Sequence, residues 1–244
     1  MSTDEQKLNV TPDGKVISEI IPMKGMRKVI ASRMEESRKK SPHCSGFSKM
    51  DMTALVSYKK QLASKGINVS YTDMFVKLCA LALEKNPILN SSRQGNEIFV
   101  YKSINIGVAT ADEEGGLLVP VIRNAESKSL LEISKEIKEF GEKVRQKTIT
   151  MDDLTGSTFT VSSMGMFGSD AIAPIINMPE AAIIAFGSIK KEPGYDENDN
   201  IVPKHMAFVS ISFDHSIMNG VPVAKFMGSI REMLKSPEEY LKAD

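Results

Sequence analysis

Helical and strand patterns alternate without a linker from residue 24 to residue 240, and this alternation restricts the chain to a layered α/β fold. Apolar residues recur at helical spacing over five segments, residues 24–40, 52–65, 70–86, 130–146 and 222–234. Runs rich in β-branched and aromatic residues predict six strands, at residues 97–101, 104–109, 117–122, 158–162, 182–186 and 206–213. Residues 112–116 predict a hairpin turn between two of these strands. Residues 1–22 are predicted to be a polar tail or linker, and residues 23–244 a single domain.

Composition excludes several functional classes. Lys plus Arg and Asp plus Glu are both 31, so the net charge is zero, whereas domains that follow a nucleic-acid backbone carry an excess of cations. No apolar stretch approaches the roughly 20 residues of a membrane span. The polar N-terminus excludes a secretory signal and argues against a transit peptide. Two cysteines, Cys44 and Cys79, cannot form a disulfide framework or a multi-cysteine zinc site, which fits a reduced, intracellular compartment.

The three histidines differ in their surroundings. We expect His43 to lie in a loop and His205 to flank a strand, both in structural roles. His215 follows directly after the strand predicted at residues 206–213, and Asn219-Gly220 then turns the chain into a helix. A titratable group at a strand end is well placed to face a cleft. Its ordinary pKa near 6.5 suits the removal of a proton from a thiol or hydroxyl.

A second segment with chemical potential is the strand that ends at Ser162 and Ser163 and is followed by a glycine-rich loop. It lacks the Gly-Lys-Ser/Thr of a phosphate-binding Walker loop. It also lacks the Gly-x-Ser-x-Gly of a nucleophile elbow. On composition alone the segment indicates a strand with a flexible turn.

Together the two segments strongly resemble the catalytic domain of the dihydrolipoamide acyltransferases, the core subunits of the 2-oxo acid dehydrogenase complexes, which share a fold with chloramphenicol acetyltransferase. The matching stretches are TFTVSSMGMFG at residues 158–168 and SFDHSIMNG at residues 212–220. Further matches follow in the family's order, at residues 21–34, 105–109, 116–123 and 174–179. The resemblance covers most of the chain.

The resemblance implies a chloramphenicol-acetyltransferase-like α/β fold, a two-layer mixed sheet with helices packed on it, in a trimer that assembles into a cubic 24-mer or an icosahedral 60-mer. It implies a coenzyme A-dependent acyltransferase without a metal. His215 would be the general base, Ser162 would donate a hydrogen bond to the oxyanion, and Asn219 would hold the active-site loop. Ser163 is one position off the match. No residue is assigned to coenzyme A.

The resemblance also implies partners and substrates. Coenzyme A or acyl-coenzyme A is a substrate, and the lipoyl group is carried on a separate or missing lipoyl domain. A decarboxylase and a dihydrolipoamide dehydrogenase are the partner enzymes. The acyl group is expected to be acetyl by family frequency alone, with succinyl, branched-chain and acetoin-derived acetyl groups open. The compartment is a bacterial cytoplasm or a mitochondrial matrix.

Two positions depart from the family pattern Asp-His-Arg-x-x-Asp-Gly. Ser216 stands in place of the arginine, and Asn219 in place of the second aspartate. Asparagine keeps an acceptor oxygen but loses the charge, and loss of both members of an ion pair is milder than loss of one. Neither a lipoyl domain nor a subunit-binding domain fits in residues 1–22, so we expect a trimmed chain or a stand-alone acyltransferase.

Two alternatives remain open from the sequence. A catalytically silent trimeric scaffold of a dehydrogenase complex is favoured by Ser216 and Asn219, and disfavoured by the presence of both His215 and Ser162. A small-molecule O-acetyltransferase of the antibiotic-modifying kind is disfavoured by the length of the match to the acyltransferase cores.

Overall fold

The structure, a computed structural model, describes residues 10–111 and 116–243. The α-helices of this part are α1 Gly25–Lys40, α2 Thr53–Ser64, α3 Tyr71–Lys85, α4 Leu130–Arg145, α5 Gly220–Met233 and α6 Pro237–Tyr240. The strands are β1 His43–Asp51, β2 Ser91–Gln94, β3 Glu97–Val100, β4 Ile106–Val108, β5 Thr110–Ala111, β6 Leu117–Leu118, β7 Val121–Ile122, β8 Phe159–Ser163, β9 Ala182–Phe186, β10 Lys190–Tyr195 and β11 Ile201–Asp214. Within the described residues, no helix is both long and apolar enough to cross a bilayer.

The principal sheet has seven strands and mixed direction. Its order is β1-β11-β9-β8-β4-β7, and β10 forms a hairpin with the first half of β11. Strand β8 runs parallel to β4 and β9, and the other pairs are antiparallel. Strand β1 pairs with β11 along its whole length, from His43 opposite Asp214 to Asp51 opposite Met206. Two small sheets, β2–β3 and β5–β6, complete the described strands.

One face of the principal sheet carries the apolar core. Phe186 of β9 stacks on Phe75 of α3, with ring centroids 3.8 Å apart. Phe159 of β8 meets Phe226 of α5 at 5.5 Å. Phe186 is in register with Ser163 of β8 and Val209 of β11, and residues in register share a face of the sheet. Because side chains alternate along a strand, the odd-numbered residues of β8 and β11 face the helices.

Helix α3 is the central element of this helical layer. Ser70 caps it: the Ser70 hydroxyl accepts a hydrogen bond from the Asp73 N–H, and the Asp73 carboxylate accepts one from the Ser70 N–H. Most of its residues are buried, because α4 and α5 pack beside it and the sheet lies beneath it. A helix that is apolar on nearly every side is typical of such an enclosed position.

The opposite face of the sheet is richer in hydroxyl groups. Ser212 of β11 faces Ser45 of β1, and their Oγ atoms lie 2.8 Å apart. Thr160 and Ser210 lie on the same face and are also buried. None of the four has the apolar character that packing against a helix would require, so this face is chemically distinct from the core.

The five predicted helices are confirmed to within about two residues at each end, a margin normal for helix boundaries. The strands predicted at residues 97–101, 158–162, 182–186 and 206–213 are also confirmed, although β11 begins at Ile201. The strand predicted at residues 117–122 is two short strands, β6 and β7, separated at Pro120, which lacks an N–H for the ladder. Residues 112–115 of the predicted hairpin turn lie outside the described residues, and β5 and β6 on either side pair antiparallel.

Four strands were not predicted: β1, β2, the two-residue β5 and β10. Strand β1 reads HCSGFSKMD, a sequence with few β-branched residues, and β10 contains Pro193 and Gly194. The prediction of a loop at His43 is therefore wrong, since His43 is the first residue of β1. His205 does not flank a strand but lies inside β11.

Candidate active site

His215 is held at the end of β11 by its backbone. Its N–H donates a hydrogen bond to the carbonyl of Pro42 at 3.0 Å, just before the neighbouring strand β1 begins. Its ring lies 5.7 Å from the ring of Phe213, and the residue is exposed. The strand thus presents an accessible imidazole from a fixed backbone position.

Asn219 forms the N-terminal cap of α5, four residues after His215. Its Oδ1 accepts a hydrogen bond from the N–H of Val221 at 3.1 Å. An asparagine at this position satisfies one of the unpaired N–H groups at a helix start. Asn219 therefore caps α5 at the end of the short segment that follows His215.

Ser162 lies in β8 on the hydroxyl-rich face of the sheet. It is in register with Ala185 of β9, which in turn is opposite Ser210 of β11. Ser162 is buried, and its hydroxyl makes no side-chain hydrogen bond to any described residue. Ser163 is in register with Phe186 and therefore points to the helix-packed side. The geometry thus favours Ser162 over Ser163 as a donor to a bound group.

Within one chain the structure does not bring Ser162 and His215 together. The C-terminal end of β8 and the C-terminal end of β11 lie at opposite ends of the sheet, because the two strands run in opposite directions. Two strand spacings and five residues along β11 separate them, about 19 Å between Cα atoms. A site that uses both residues must therefore combine the serine of one chain with the histidine of another.

The loop after Ser163 is fixed by a close approach of two backbone segments. A Cβ placed on Gly187 would lie 1.8 Å from the carbonyl oxygen of Asp170. The Ser188 hydroxyl donates to the carbonyls of Gly165 and Ser169 at 3.2 and 3.0 Å. The loop next to the serine pair is therefore anchored to the end of β9.

The other histidines have less accessible positions. Nδ1 of His43 lies 2.9 Å from the carbonyl of Ser41, and Nε2 accepts a hydrogen bond from the N–H of Ile176 at 3.0 Å. Both ring nitrogens are thus engaged, which supports the structural role expected for this residue. His205 has a buried Nδ1 without a hydrogen-bond partner in the described chain.

The two cysteines are unpaired, with Cys44 exposed on β1 and Cys79 buried in α3, where burial raises the pKa of its thiol. In the described part of the chain, no three His, Cys, Asp or Glu side chains are grouped so that they could hold a metal ion.

Two features of the site were not found from the sequence. The Asp214 carboxylate is buried and accepts hydrogen bonds from the backbone and hydroxyl of Ser216. The Glu180 carboxylate is also buried, and its Oε1 accepts hydrogen bonds from Ser157, Thr160 and Asn177. Burial raises the pKa of Glu180 to about 7, although these hydrogen bonds favour the ionised form. No pattern in the sequence predicts the burial of either carboxylate. The one sequence signal was that Asp214 directly precedes His215.

The mixed sheet, its single helical layer and its strand-end histidine define an α/β protein of the acyltransferase type. The solved chloramphenicol acetyltransferase has the same fold, with a TM-score of 0.52 and 11% identity over 88% of this chain and 99% of that one. Residues 16–242 match the family model for the 2-oxoacid dehydrogenases acyltransferase catalytic domain, and the chain belongs to this family.

Relatives from several complexes are similar to the chain. The lipoamide acyltransferase component of the Bacillus subtilis branched-chain α-keto acid dehydrogenase complex is 38% identical over 224 residues, which are 90% of this chain and 53% of that protein. The mitochondrial succinyltransferase component of the Saccharomyces cerevisiae 2-oxoglutarate dehydrogenase complex is 34% identical over 91% of this chain and 48% of that protein. The chain therefore spans about half the length of these relatives.

Two solved structures are similar over almost their whole length. The cubic core of a pyruvate dehydrogenase multienzyme complex has a TM-score of 0.84 and 32% identity, over 93% of this chain and 95% of that one. The Azotobacter vinelandii dihydrolipoamide acetyltransferase has a TM-score of 0.84 and 32% identity, over 94% and 95%. The latter was solved to examine a serine, a histidine and an asparagine in its catalytic mechanism, and its asparagine lies four residues after the histidine. Asn219 has the same spacing from His215 in this chain.

Proposed function

We propose that the chain transfers an acyl group between the thiol of a dihydrolipoyl group and the thiol of coenzyme A. The observation that carries the proposal is the accessible imidazole of His215, fixed at a sheet end in a chain of this family. In the proposed reaction, His215 takes the proton of the coenzyme A thiol as the sulfur attacks the thioester carbonyl. The bond to the lipoyl sulfur then breaks, and that sulfur receives the proton from the imidazolium.

Ser162 would stabilise the charge that develops during this attack. Ser162 is a buried residue whose hydroxyl has no side-chain partner in the described chain, and this hydroxyl can donate to the carbonyl oxygen as negative charge builds on it. One such preorganised donor contributes roughly 2.7–4 kcal/mol to transition-state stabilisation. Asn219 supports the reaction indirectly, by fixing the turn between His215 and α5.

The separation of Ser162 and His215 within a chain supports a site shared between neighbouring copies. The ring of three subunits expected from the resemblance would join the histidine of each copy to the serine of the next. The similarity to a cubic multienzyme core supports further assembly into a 24-mer, with a 60-mer as the other closed form.

The substrates and partners belong to the same proposal. We expect the lipoyl group to come from a lipoyl domain outside the matched region, with a decarboxylase and a dihydrolipoamide dehydrogenase as partner enzymes. Acetyl is the first acyl group to test. Because the curated relatives act in branched-chain and 2-oxoglutarate complexes, branched-chain acyl and succinyl groups follow. Bacterial and mitochondrial relatives support a bacterial cytoplasm or a mitochondrial matrix as the compartment.

A steady-state assay with acetyl-coenzyme A and dihydrolipoamide tests the proposal. We expect formation of S-acetyl-dihydrolipoamide that depends on both substrates and is at least about 100-fold slower in His215→Ala. A screen with chloramphenicol-like hydroxyl acceptors tests the O-acetyltransferase alternative in the same format. Ser216 in place of the family's arginine favours the silent scaffold, and an assembled, folded protein without turnover for any acyl group would establish that reading instead.

A further inference from the structure

We infer that Ser216 is a positioning residue for His215, and that it acts through the buried carboxylate of Asp214. The expected effect of Ser216 on kcat rests on the proposed function, whereas its expected effect on the position of the His215 ring does not. It concerns the position at which the chain departs from the family's arginine.

Asp214 is only 2% exposed, and its carboxylate needs hydrogen-bond donors at such a depth. Its Oδ1 accepts two: the N–H of Ser216 at 2.8 Å and the Ser216 hydroxyl at 2.5 Å. No ion pair to Asp214 forms within the described chain. Ser216 therefore supplies the side-chain donor that the buried carboxylate has here.

The same two residues flank His215 in the sequence, so their hydrogen bonds close a turn around it. The carbonyl of Asp214 accepts from the N–H groups of Ile217 and Met218 at 3.0 and 3.3 Å, which tightens the turn further. On the strand side, the N–H of Asp214 donates to the carbonyl of Ala181 at 2.8 Å. Asp214 thus links the principal sheet to the segment that carries the imidazole.

These contacts leave His215 with fixed backbone on both sides. Its own N–H is bound to the carbonyl of Pro42, and the turn from Asp214 to Ser216 limits its remaining dihedral freedom. A general base must be held near its proton donor with small positional error. The hydroxyl-to-carboxylate contact is charge-assisted and therefore stronger than a neutral hydrogen bond.

The kinetic test compares Ser216→Ala, Ser216→Thr and a control, Ser64→Ala. Ser64 is a matched serine on the exposed end of α2 whose hydroxyl bonds only the carbonyl of Gln61. We expect Ser216→Ala to lower kcat about 10-fold with KM for coenzyme A unchanged, since one charge-assisted hydrogen bond is lost. Ser216→Thr keeps the hydroxyl and should stay within about 3-fold of the parent, as should Ser64→Ala. An equal kcat for Ser216→Ala and parent would contradict the inference.

Crystal structures of the parent and the two Ser216 variants give a readout that does not need turnover. We expect the His215 ring to shift or lose order in Ser216→Ala and to keep the parent position in Ser216→Thr. If the parent is inactive but Ser216→Ala displaces the ring, the proposed function fails and the positioning role stands. If the ring stays in place in Ser216→Ala, the positioning role is wrong whatever the parent's activity.

Discussion

Ser162 and His215 lie toward opposite ends of one sheet, because β8 and β11 run in opposite directions and terminate at opposite ends of it. Under the proposed function, each copy would therefore carry two half-sites rather than one whole site. If neighbouring copies complete them, a defect in one residue of a subunit disables one half-site and leaves the other half-site of the same subunit intact.

Complementation between variants tests this arrangement. His215→Ala and Ser162→Ala should each be weak enzymes alone. Unfolded together in equal amounts and reassembled, they should recover about a quarter of the parent activity, because a quarter of the random interfaces join two intact residues. Mass spectrometry of tagged subunits verifies that the rings are mixed. Activity no higher than the average of the two variants, in proven mixed rings, would show that both residues act within one chain.

The variant His215→Ala, which lacks the imidazole, should lose activity without losing stability. His215→Ala should lower kcat by at least about 100-fold, the contribution of a positioned general base. The residue is exposed, so the fold and the thermal midpoint should be unchanged. Steady-state kinetics and circular dichroism check the two parts, and His205→Asn, ten residues earlier in β11, serves as a histidine control away from the proposed chemistry. Parent-like turnover in His215→Ala would remove it from the mechanism.

Two substitutions of Asn219 separate the effect of losing its N-cap hydrogen bond from the effect of adding a negative charge at this position. Asn219→Ala removes the acceptor for the Val221 N–H and should cost about 0.5–2 kcal/mol of stability, the usual range for a lost N-cap. Asn219→Asp keeps the cap, so its stability should match the parent. Its kcat should be equal or lower, because Ser216 offers no positive partner for the added carboxylate.

Denaturant unfolding and steady-state rates of the two variants distinguish these effects. A several-fold gain in kcat for Asn219→Asp would mark Asn219 as a defect of this chain and would strengthen the scaffold reading.

The sequence predicted the helices and the central strands because their apolar periodicity is a direct consequence of packing against one core. It did not reveal β1, whose serines and glycine pair with β11 by backbone bonds and need no apolar side chain. It could single out Ser162 and His215 because each lies at or just after the end of a predicted strand, within a stretch that resembles the family's motif. It could not show that they lie toward opposite ends of one chain's sheet, because that follows from the order and direction of strands joined over long sequence distances.

The same limit applies to the buried carboxylates. Asp214 and Glu180 look in sequence like ordinary surface residues, since most aspartates and glutamates are exposed. Their burial follows from tertiary contacts: Asp214 from pairing with β1, and Glu180 from the convergence of Ser157, Thr160 and Asn177. Only coordinates can identify donors that come from separate segments.

Glu180 should make stability depend on pH near neutrality. Burial raises its pKa from 4.5 to about 7, so between these values the folded chain holds a proton that the unfolded chain releases. The free energy of unfolding should therefore fall as pH rises from about 4.5 to about 7 and level off above, by at most about 3 kcal/mol for this group.

The variant Glu180→Gln cannot titrate at this position and isolates the effect. Urea unfolding of the parent and Glu180→Gln across this pH range should show the parent losing stability relative to the variant as pH rises, because only the parent has a proton to release at this position. Glu197→Gln, at an exposed position in the β10–β11 hairpin, is the matched control and should follow the parent. Carboxylates with lowered pKa values, such as Asp153 at about 2, titrate below this window and do not contribute to the slope. Parallel pH profiles for the parent and Glu180→Gln would show that Glu180 is ionised throughout in the folded chain.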